Sequence, residues 1–119
     1  MQNELLDMDF LDPVKLCKRL ARYFRTNLPR ITIRVFRMKT DGIGIDVRIY
    51  YEDGDQDYMR VCDIWAQYNT EDTLVGYTVH NSLIERDKHI VYGFEDMLSK
   101  IRAMLMSHRT YIVFGQSHA

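Results

Sequence analysis

Two aspartates on neighbouring predicted strands are the residues best placed to do chemistry. Alternating apolar residues predict strands over 43–51 and 58–68, joined by a polar loop. If Tyr51 faces Tyr58 across that loop, Asp46 lies directly opposite Asp63. Two facing carboxylates repel each other, so the pair needs a metal ion, a cationic ligand or a basic side chain of the protein to compensate it.

Arg37 is the cation that the predicted register brings to this pair. Asp41-Gly42 is a strong signal for a two-residue hairpin turn, which places Arg37 opposite Asp46 and requires a bulge near Val35-Phe36. We therefore expect a row of Arg37, Asp46 and Asp63 on the outer face of the sheet. A charge ladder facing solvent, a site for a polar ligand and a metal-binding acid pair all remain open.

The same outer face is expected to carry more apolar surface than a solvated sheet face normally shows. Its apolar residues in this register are Tyr50, Met59, Val61 and Trp65. Either another part of the chain covers them or another molecule does, so a homodimer is as well supported as a monomer. We predict a partner-binding sheet face made of Arg37, Asp46, Tyr50, Asp63 and Trp65.

An acidic hairpin is the second candidate surface. Its loop contains Glu52, Asp53, Asp55 and Asp57. The D-x-D-x-D spacing is that of the first half of an EF-hand loop, but Tyr58 stands at the position of the glycine and Ile64 at that of the bidentate glutamate. The pattern therefore predicts a projecting acidic tip that contacts a basic protein, and no metal site.

A basic helix is the third candidate surface. Residues 13–39 contain nine lysines and arginines and no acid, whereas residues 40–76 contain nine acids and two arginines. Asp12-Pro13 is a helix start, and the apolar spacing extends the helix to about Thr26. The outer face of this helix carries Lys15, Lys18, Arg19, Arg22 and Arg25. Such a face suits a solvated helix, the phosphates of a nucleic acid or an acidic protein surface.

The remaining patterns predict one α+β domain over residues 1–119. Strands are predicted near 31–35, 43–51, 58–68 and 74–80, with a possible short strand at 89–92 and a last strand at 110–114. A second helix is predicted over 94–107. The order α-β-β-β-β-α-β favours an antiparallel meander of four to five strands with both helices on one face. Residues 1–11 are expected to form an acidic lead-in and 115–119 a loose tail.

The predicted order is similar to the core of the PD-(D/E)xK nucleases. That core runs α-β-β-β-α-β, with an acid on the second strand and D/E-x-K on the third. Asp46 and Asp63 occupy the corresponding places, and the resemblance implies that they would hold a divalent metal which activates water. Trp65 stands where the lysine is required, so the resemblance implies at most a degenerate metal-dependent nuclease.

Composition supports a binding protein more than an enzyme. Cys17 and Cys62 match no metal or redox spacing, the histidines show no ligand spacing, and no serine or cysteine sits in a nucleophile turn. No signal peptide or membrane span is apparent, so we predict a cytoplasmic protein with no cofactor, metal or membrane partner.

We predict a non-enzymatic protein that binds another protein through charge-complementary surfaces. It is similar in size and charge to phage-encoded inhibitors of host nucleases, which implies an inhibitor or regulator of a nucleic-acid-handling protein. The alternatives are a nucleic-acid-binding module that uses the basic helix over 13–26, and the degenerate nuclease.

Overall fold

Five antiparallel strands, hydrogen-bonded in chain order, form the sheet of this protein. The computed structural model describes residues 9–24, 31–37, 44–51 and 58–117. The elements are α1 (Pro13–Tyr23), β1 (Ile31–Arg37), β2 (Gly44–Tyr51), β3 (Tyr58–Tyr68), β4 (Leu74–Asn81), β5 (Lys88–Val91) and α2 (Phe94–Ser117). The prediction of a single α+β domain built on an antiparallel meander with two helices is confirmed.

Helix α1 begins where the sequence indicates. The Asp12 carboxylate caps it by accepting hydrogen bonds from the backbone N–H groups of Val14 and Lys15, at 3.0 and 3.3 Å. Pro13 occupies the first turn, where its missing N–H costs no hydrogen bond. The helix ends at Tyr23, three residues earlier than expected.

The residues just before α1 are part of the core and not only an acidic lead-in. The Phe10 side chain is fully buried and meets the Tyr77 ring edge-on, with centroids 5.0 Å apart. The Tyr77 hydroxyl donates a 2.7 Å hydrogen bond to the Phe10 carbonyl. This contact ties the entry of α1 to strand β4.

One hydrophobic core joins both helices to one face of the sheet, which we call the inner face. From the helices it contains Leu16, Cys17, Leu20, Phe24, Phe94, Met97, Leu98, Ile101 and Met104, and from the strands Ile45, Val47, Ile49, Cys62, Ile64, Tyr77, Val79 and Val91. The period-2 pattern of the strands and the 3.6-residue pattern of the helices both converge on this layer. The opposite side of the sheet is the outer face.

The last predicted strand, 110–114, is wrong. Helix α2 continues through these residues to Ser117, and the fifth strand is the short one at Lys88–Val91, before the helix. The run Thr110-Tyr111-Ile112-Val113-Phe114 has high strand propensity, but no glycine or proline separates it from the helix. Because an established helix adds residues cooperatively, it propagates through the run. Within the described residues, no helix is both long enough and apolar enough to cross a membrane.

The predicted pairing of β2 with β3 is confirmed at its centre. Asp46 lies opposite Asp63, with Ile45 opposite Ile64 and Val47 opposite Cys62. Beyond Val47 the register shifts by one residue, so Tyr50 and not Tyr51 pairs with Tyr58. Val61 is left over by this shift and is fully buried. Met59 pairs with Ile49, which places it on the inner side and not on the outer face as expected.

The predicted pairing of β1 with β2 is wrong by one residue. Val35 pairs with Val47, Phe36 with Asp46 and Arg37 with Ile45. No bulge interrupts β1, so Arg37 falls on the inner side and Phe36 on the outer face. The outer face accommodates this aromatic ring because the Arg48 guanidinium lies 4.3 Å from its centroid. The Asp41-Gly42 turn lies outside the described residues.

Candidate partner-binding surfaces

Asp46 is a buried carboxylate held by two arginines of the sheet. It is 0% exposed, and its Oδ2 accepts from Arg48 at 3.0 Å and lies 3.3 Å from an Arg60 nitrogen. Both arginines sit on the outer face, Arg48 two residues along β2 and Arg60 directly opposite it on β3. Oδ1 of Asp46 is buried and meets no hydrogen-bond donor within the described part of the chain. These cations take the place predicted for Arg37.

Asp63 is compensated by a different set of donors. The Trp65 indole N–H donates to Oδ2 at 2.9 Å, and Nδ1 of His80 lies 3.1 Å from Oδ1. The other ring nitrogen of His80 lies 3.2 Å from the Glu85 carbonyl, so the histidine links the sheet to the β4–β5 loop. Each aspartate of the facing pair therefore has its own partners.

This arrangement is a charge-compensated ladder within the sheet. Asp46 is out of a partner's reach, while Tyr50, Asp63 and Trp65 are half-buried. Among the described residues, no three or more histidine, cysteine or acidic side chains are grouped as metal ligands would be. The nuclease hypothesis places a lysine where Trp65 stands, and here that tryptophan is a hydrogen-bond donor to Asp63.

Arg37 lies on the inner side of the sheet and influences Cys17. Burial raises the pKa of the Cys17 thiol, and the positive charge of Arg37 lowers it in part. The pKa of the Cys62 thiol is raised by burial and further by the charges of Asp63 and Asp46. Both thiols are buried and reduced, so their surroundings are those of structural cysteines.

The basic face of α1 divides into residues with internal contacts and residues without. Lys15 lies 3.5 Å from the Asp9 carboxylate, and the Arg19 guanidinium covers the Phe94 ring at 3.6 Å. Lys18 and Arg22 are exposed, and neither forms an ion pair with a carboxylate of the described residues. Arg25 and the acidic hairpin of Glu52, Asp53, Asp55 and Asp57 lie outside the described residues.

Helix α2 places a cation beside Tyr23 of α1, which the sequence did not indicate. Arg102 donates a 2.7 Å hydrogen bond to the Tyr23 hydroxyl, and its guanidinium lies 5.7 Å from the Tyr23 ring centroid. Tyr23 also meets Phe94 edge-on at 6.4 Å. We call the group Lys18, Arg22, Tyr23 and Arg102 the two-helix basic surface. Its only sequence signal is the position of Arg102 beside the apolar stripe of α2.

The β4–β5 loop is closed by a second polar cluster that sequence reasoning missed. Asn81 is fully buried; its amide donates to Asp87 Oδ2 at 3.0 Å, and its Oδ1 accepts from the Leu83 N–H at 3.0 Å. Nε2 of His89 lies 2.6 Å from Asp87 Oδ1. The hydrogen bond from Asn81, aided by His89, lowers the pKa of Asp87. This cluster fixes the loop that leads into β5.

Comparisons with known proteins give this chain no relative. No protein-family model matches it, and neither a curated protein nor a solved structure matches it significantly. Its function therefore has to be argued from its own surfaces.

Proposed function

We propose that this protein is a non-enzymatic binding protein whose two-helix basic surface engages an acidic surface of a protein partner. The observation that carries the proposal is the hydrogen bond from Arg102 to Tyr23, because it holds the cation of α2 against the helix that carries Lys18 and Arg22. Lys18, Arg22 and Arg102 then present positive charge from two helices that meet at the Tyr23 ring. Such a cluster attracts a surface of opposite charge.

The residues around this cluster favour a protein partner over a nucleic acid. Tyr23 is 45% exposed and Met106, one turn after Arg102, is 69% exposed. Protein interfaces are enriched in tyrosine, methionine and arginine, which is the composition found here. Glu95 and Asp96 open α2 immediately after Phe94 and are exposed. Exposed carboxylates on the same helix as Arg102, of which Asp96 also lies 3.7 Å from Lys100, disfavour nucleic-acid phosphates, whereas a mixed protein surface tolerates them.

Charge reversal with defined probes tests the proposal. The probes are a short fluorescein-labelled glutamate-rich peptide that carries leucine and phenylalanine, and labelled single- and double-stranded DNA and RNA of similar charge. We expect the peptide to bind, with an affinity that falls as salt rises. Lys18→Glu/Arg22→Glu should weaken it by about tenfold or more, because like charges then face each other. Arg86→Glu reverses an exposed arginine of the β4–β5 loop and should leave binding unchanged.

The outcomes separate the candidate functions. If DNA or RNA binds more tightly than the peptide and Lys18→Glu/Arg22→Glu weakens that binding, the two-helix basic surface is a nucleic-acid-binding surface. The proposal would be overturned if no probe binds at low salt. It would also be overturned if Arg86→Glu weakens peptide binding as much as Lys18→Glu/Arg22→Glu does. A divalent metal added to the nucleic-acid titrations checks for the cleavage that the nuclease alternative requires, with Asp63→Asn as its control.

A further inference from the structure

Within the described residues, strand β5 forms one edge of the sheet and exposes apolar side chains there. The strand order ends with β1 at one edge and β5 at the other. Strand β1 carries Arg34 and Arg37, and charged residues discourage edge-to-edge pairing. Strand β5 instead exposes Ile90, at 53%, and it is followed by Tyr92, at 65%. Strand β5 also carries the exposed Lys88, so its edge combines one cation with two exposed apolar side chains.

The hydrogen bonding of β5 to β4 determines which backbone groups face outward. The Asn81 N–H donates to the Asp87 carbonyl at 2.9 Å, and the ladder pairs His89 with Val79 and Val91 with Tyr77. Because backbone groups of an antiparallel strand alternate in direction, Asp87, His89 and Val91 face β4. The outward-facing residues are Lys88, Ile90 and Tyr92. The Lys88 N–H makes a local 3.1 Å bond to the Arg86 carbonyl, so within the described part of β5 Ile90 is the residue whose N–H and C=O both point away from the sheet.

The same alternate residues present their side chains on the outer face. Ile90 pairs with Thr78 on that face, and the Tyr92 ring lies against Gly76. Lys88 and Tyr92 stand two residues to either side of Ile90. A second copy related by a two-fold axis at Ile90 therefore brings Lys88 opposite Tyr92 twice, and an ammonium group beside a tyrosine ring is attractive. A register with the two-fold axis at His89 would instead place the two His89 side chains directly opposite each other and would not pair Lys88 with Tyr92.

We propose that β5 pairs antiparallel with β5 of a second copy of this chain, with the two-fold axis at Ile90. The two Ile90 residues exchange both backbone hydrogen bonds, and the two sheets become one continuous sheet. The contact is isologous, so it closes at a dimer. The contact lies on the sheet edge.

Sedimentation equilibrium over a concentration series of the full chain is the first test. We expect a reversible monomer–dimer equilibrium that Ile90→Lys weakens by about tenfold or more, since it removes an apolar cross-strand pair and sets two like charges opposite each other. Tyr68→Lys is the matched control, because Tyr68 is also a strongly exposed residue of the sheet, at 46%, but ends β3, away from the edge. It should leave the equilibrium unchanged.

Single-cysteine cross-linking tests the register without depending on that variant's folding. Cys17 and Cys62 are buried, so an added surface cysteine dominates oxidation. Two Cα atoms in a hydrogen-bonded pair lie about 5.5 Å apart, within disulfide range. Ile90→Cys should therefore form an interchain disulfide far more readily than His89→Cys or Lys88→Cys.

Three results would overturn the proposal. A monomer at every concentration would do so and leave the edge to a strand of another protein. A dimer that Ile90→Lys leaves intact would place the interface elsewhere. Cross-linking that peaks at residue 88 or 89 would reject the two-fold axis at Ile90.

Discussion

Asp46 and Asp63 lie directly opposite each other on neighbouring strands, yet each is compensated by its own donors. Asp46 is held by Arg48 and Arg60, and Asp63 by Trp65 and His80. A pair that the sequence offered as a metal or ligand site is thus part of what stabilises the outer face. Within the described residues, our proposals place binding on the two-helix basic surface and the β5 edge.

Removing the Asp46 carboxylate should destabilise the fold strongly. Asp46→Ala leaves Arg48, with a side chain only 18% exposed, without its carboxylate. Breaking a buried ion pair from one side costs about 3 kcal/mol, so the free energy of unfolding in urea should fall by that amount. Glu71→Ala, in the exposed β3–β4 turn, should change it little. If Asp46→Ala and Glu71→Ala lower the free energy of unfolding by equally small amounts, the contacts of Asp46 with Arg48 and Arg60 contribute nothing to stability.

The His80 link should hold the β4–β5 loop. His80→Ala removes the partner of both Asp63 Oδ1 and the Glu85 carbonyl, with an expected loss of about 1 kcal/mol. Hydrogen exchange of the Ser82 amide, which donates to the Val61 carbonyl at 3.0 Å, reports on the loop directly. That amide should exchange faster in His80→Ala and not in Arg86→Ala. Unchanged exchange in His80→Ala would mean that the Asn81 cluster alone fixes the loop.

Gly76 should not tolerate a side chain. A Cβ there would lie 2.5 Å from the Val91 carbonyl oxygen and 2.9 Å from the Tyr92 ring. Because the first contact is to backbone, β5 must move, and we expect Gly76→Ala to cost about 2 kcal/mol or more. At Gly93 a Cβ would meet nothing within 4 Å, so Gly93→Ala should stay within about 0.5 kcal/mol of the parent protein. Thermal or urea unfolding of the two variants measures both losses, and equal stability of Gly76→Ala and Gly93→Ala would contradict this prediction.

Asp87 should contribute an acid-sensitive part of the stability. Its pKa is lowered in the folded state, chiefly by the hydrogen bond from Asn81. Unfolding therefore raises the proton affinity of the Asp87 carboxylate. Its contribution to the free energy of unfolding is complete above the ordinary carboxyl pKa of about 3.9. The contribution is lost as the pH falls through the lower pKa of the folded state. In urea unfolding over a pH series, the free energy of unfolding of Asp87→Asn should fall less at acidic pH than that of the parent protein. Equal falls in the two proteins would contradict a stabilising role for the Asp87 carboxylate.

Short-range patterns account for the elements that were predicted correctly. The Asp12-Pro13 cap, the period-2 strands and the apolar face of α1 each depend on residues close together in the chain. The centre of the β2–β3 pairing followed from the same alternation, since only one register buries Ile45 and Val47 with their partners. These features placed Asp46 opposite Asp63 correctly.

Contacts between distant residues account for the pairing details that were missed, whereas the wrong last strand reflects the local extension of α2. The position of Phe36 on the outer face depends on its contact with Arg48. The register shift that leaves Val61 unpaired with β2 depends on β3 pairing with β2 and β4 at the same time.

The sequence alone determined the order of the elements up to β4, the facing aspartates and the inner position of the residues that flank them on β2 and β3, because local periodicity sets how sides alternate within a strand. Only the tertiary structure decided which side chains contact those aspartates. Another contact of this kind is the meeting of Arg102 with Tyr23 across 79 residues of chain. Its formation depends on how two helices pack on one sheet, which no local pattern specifies.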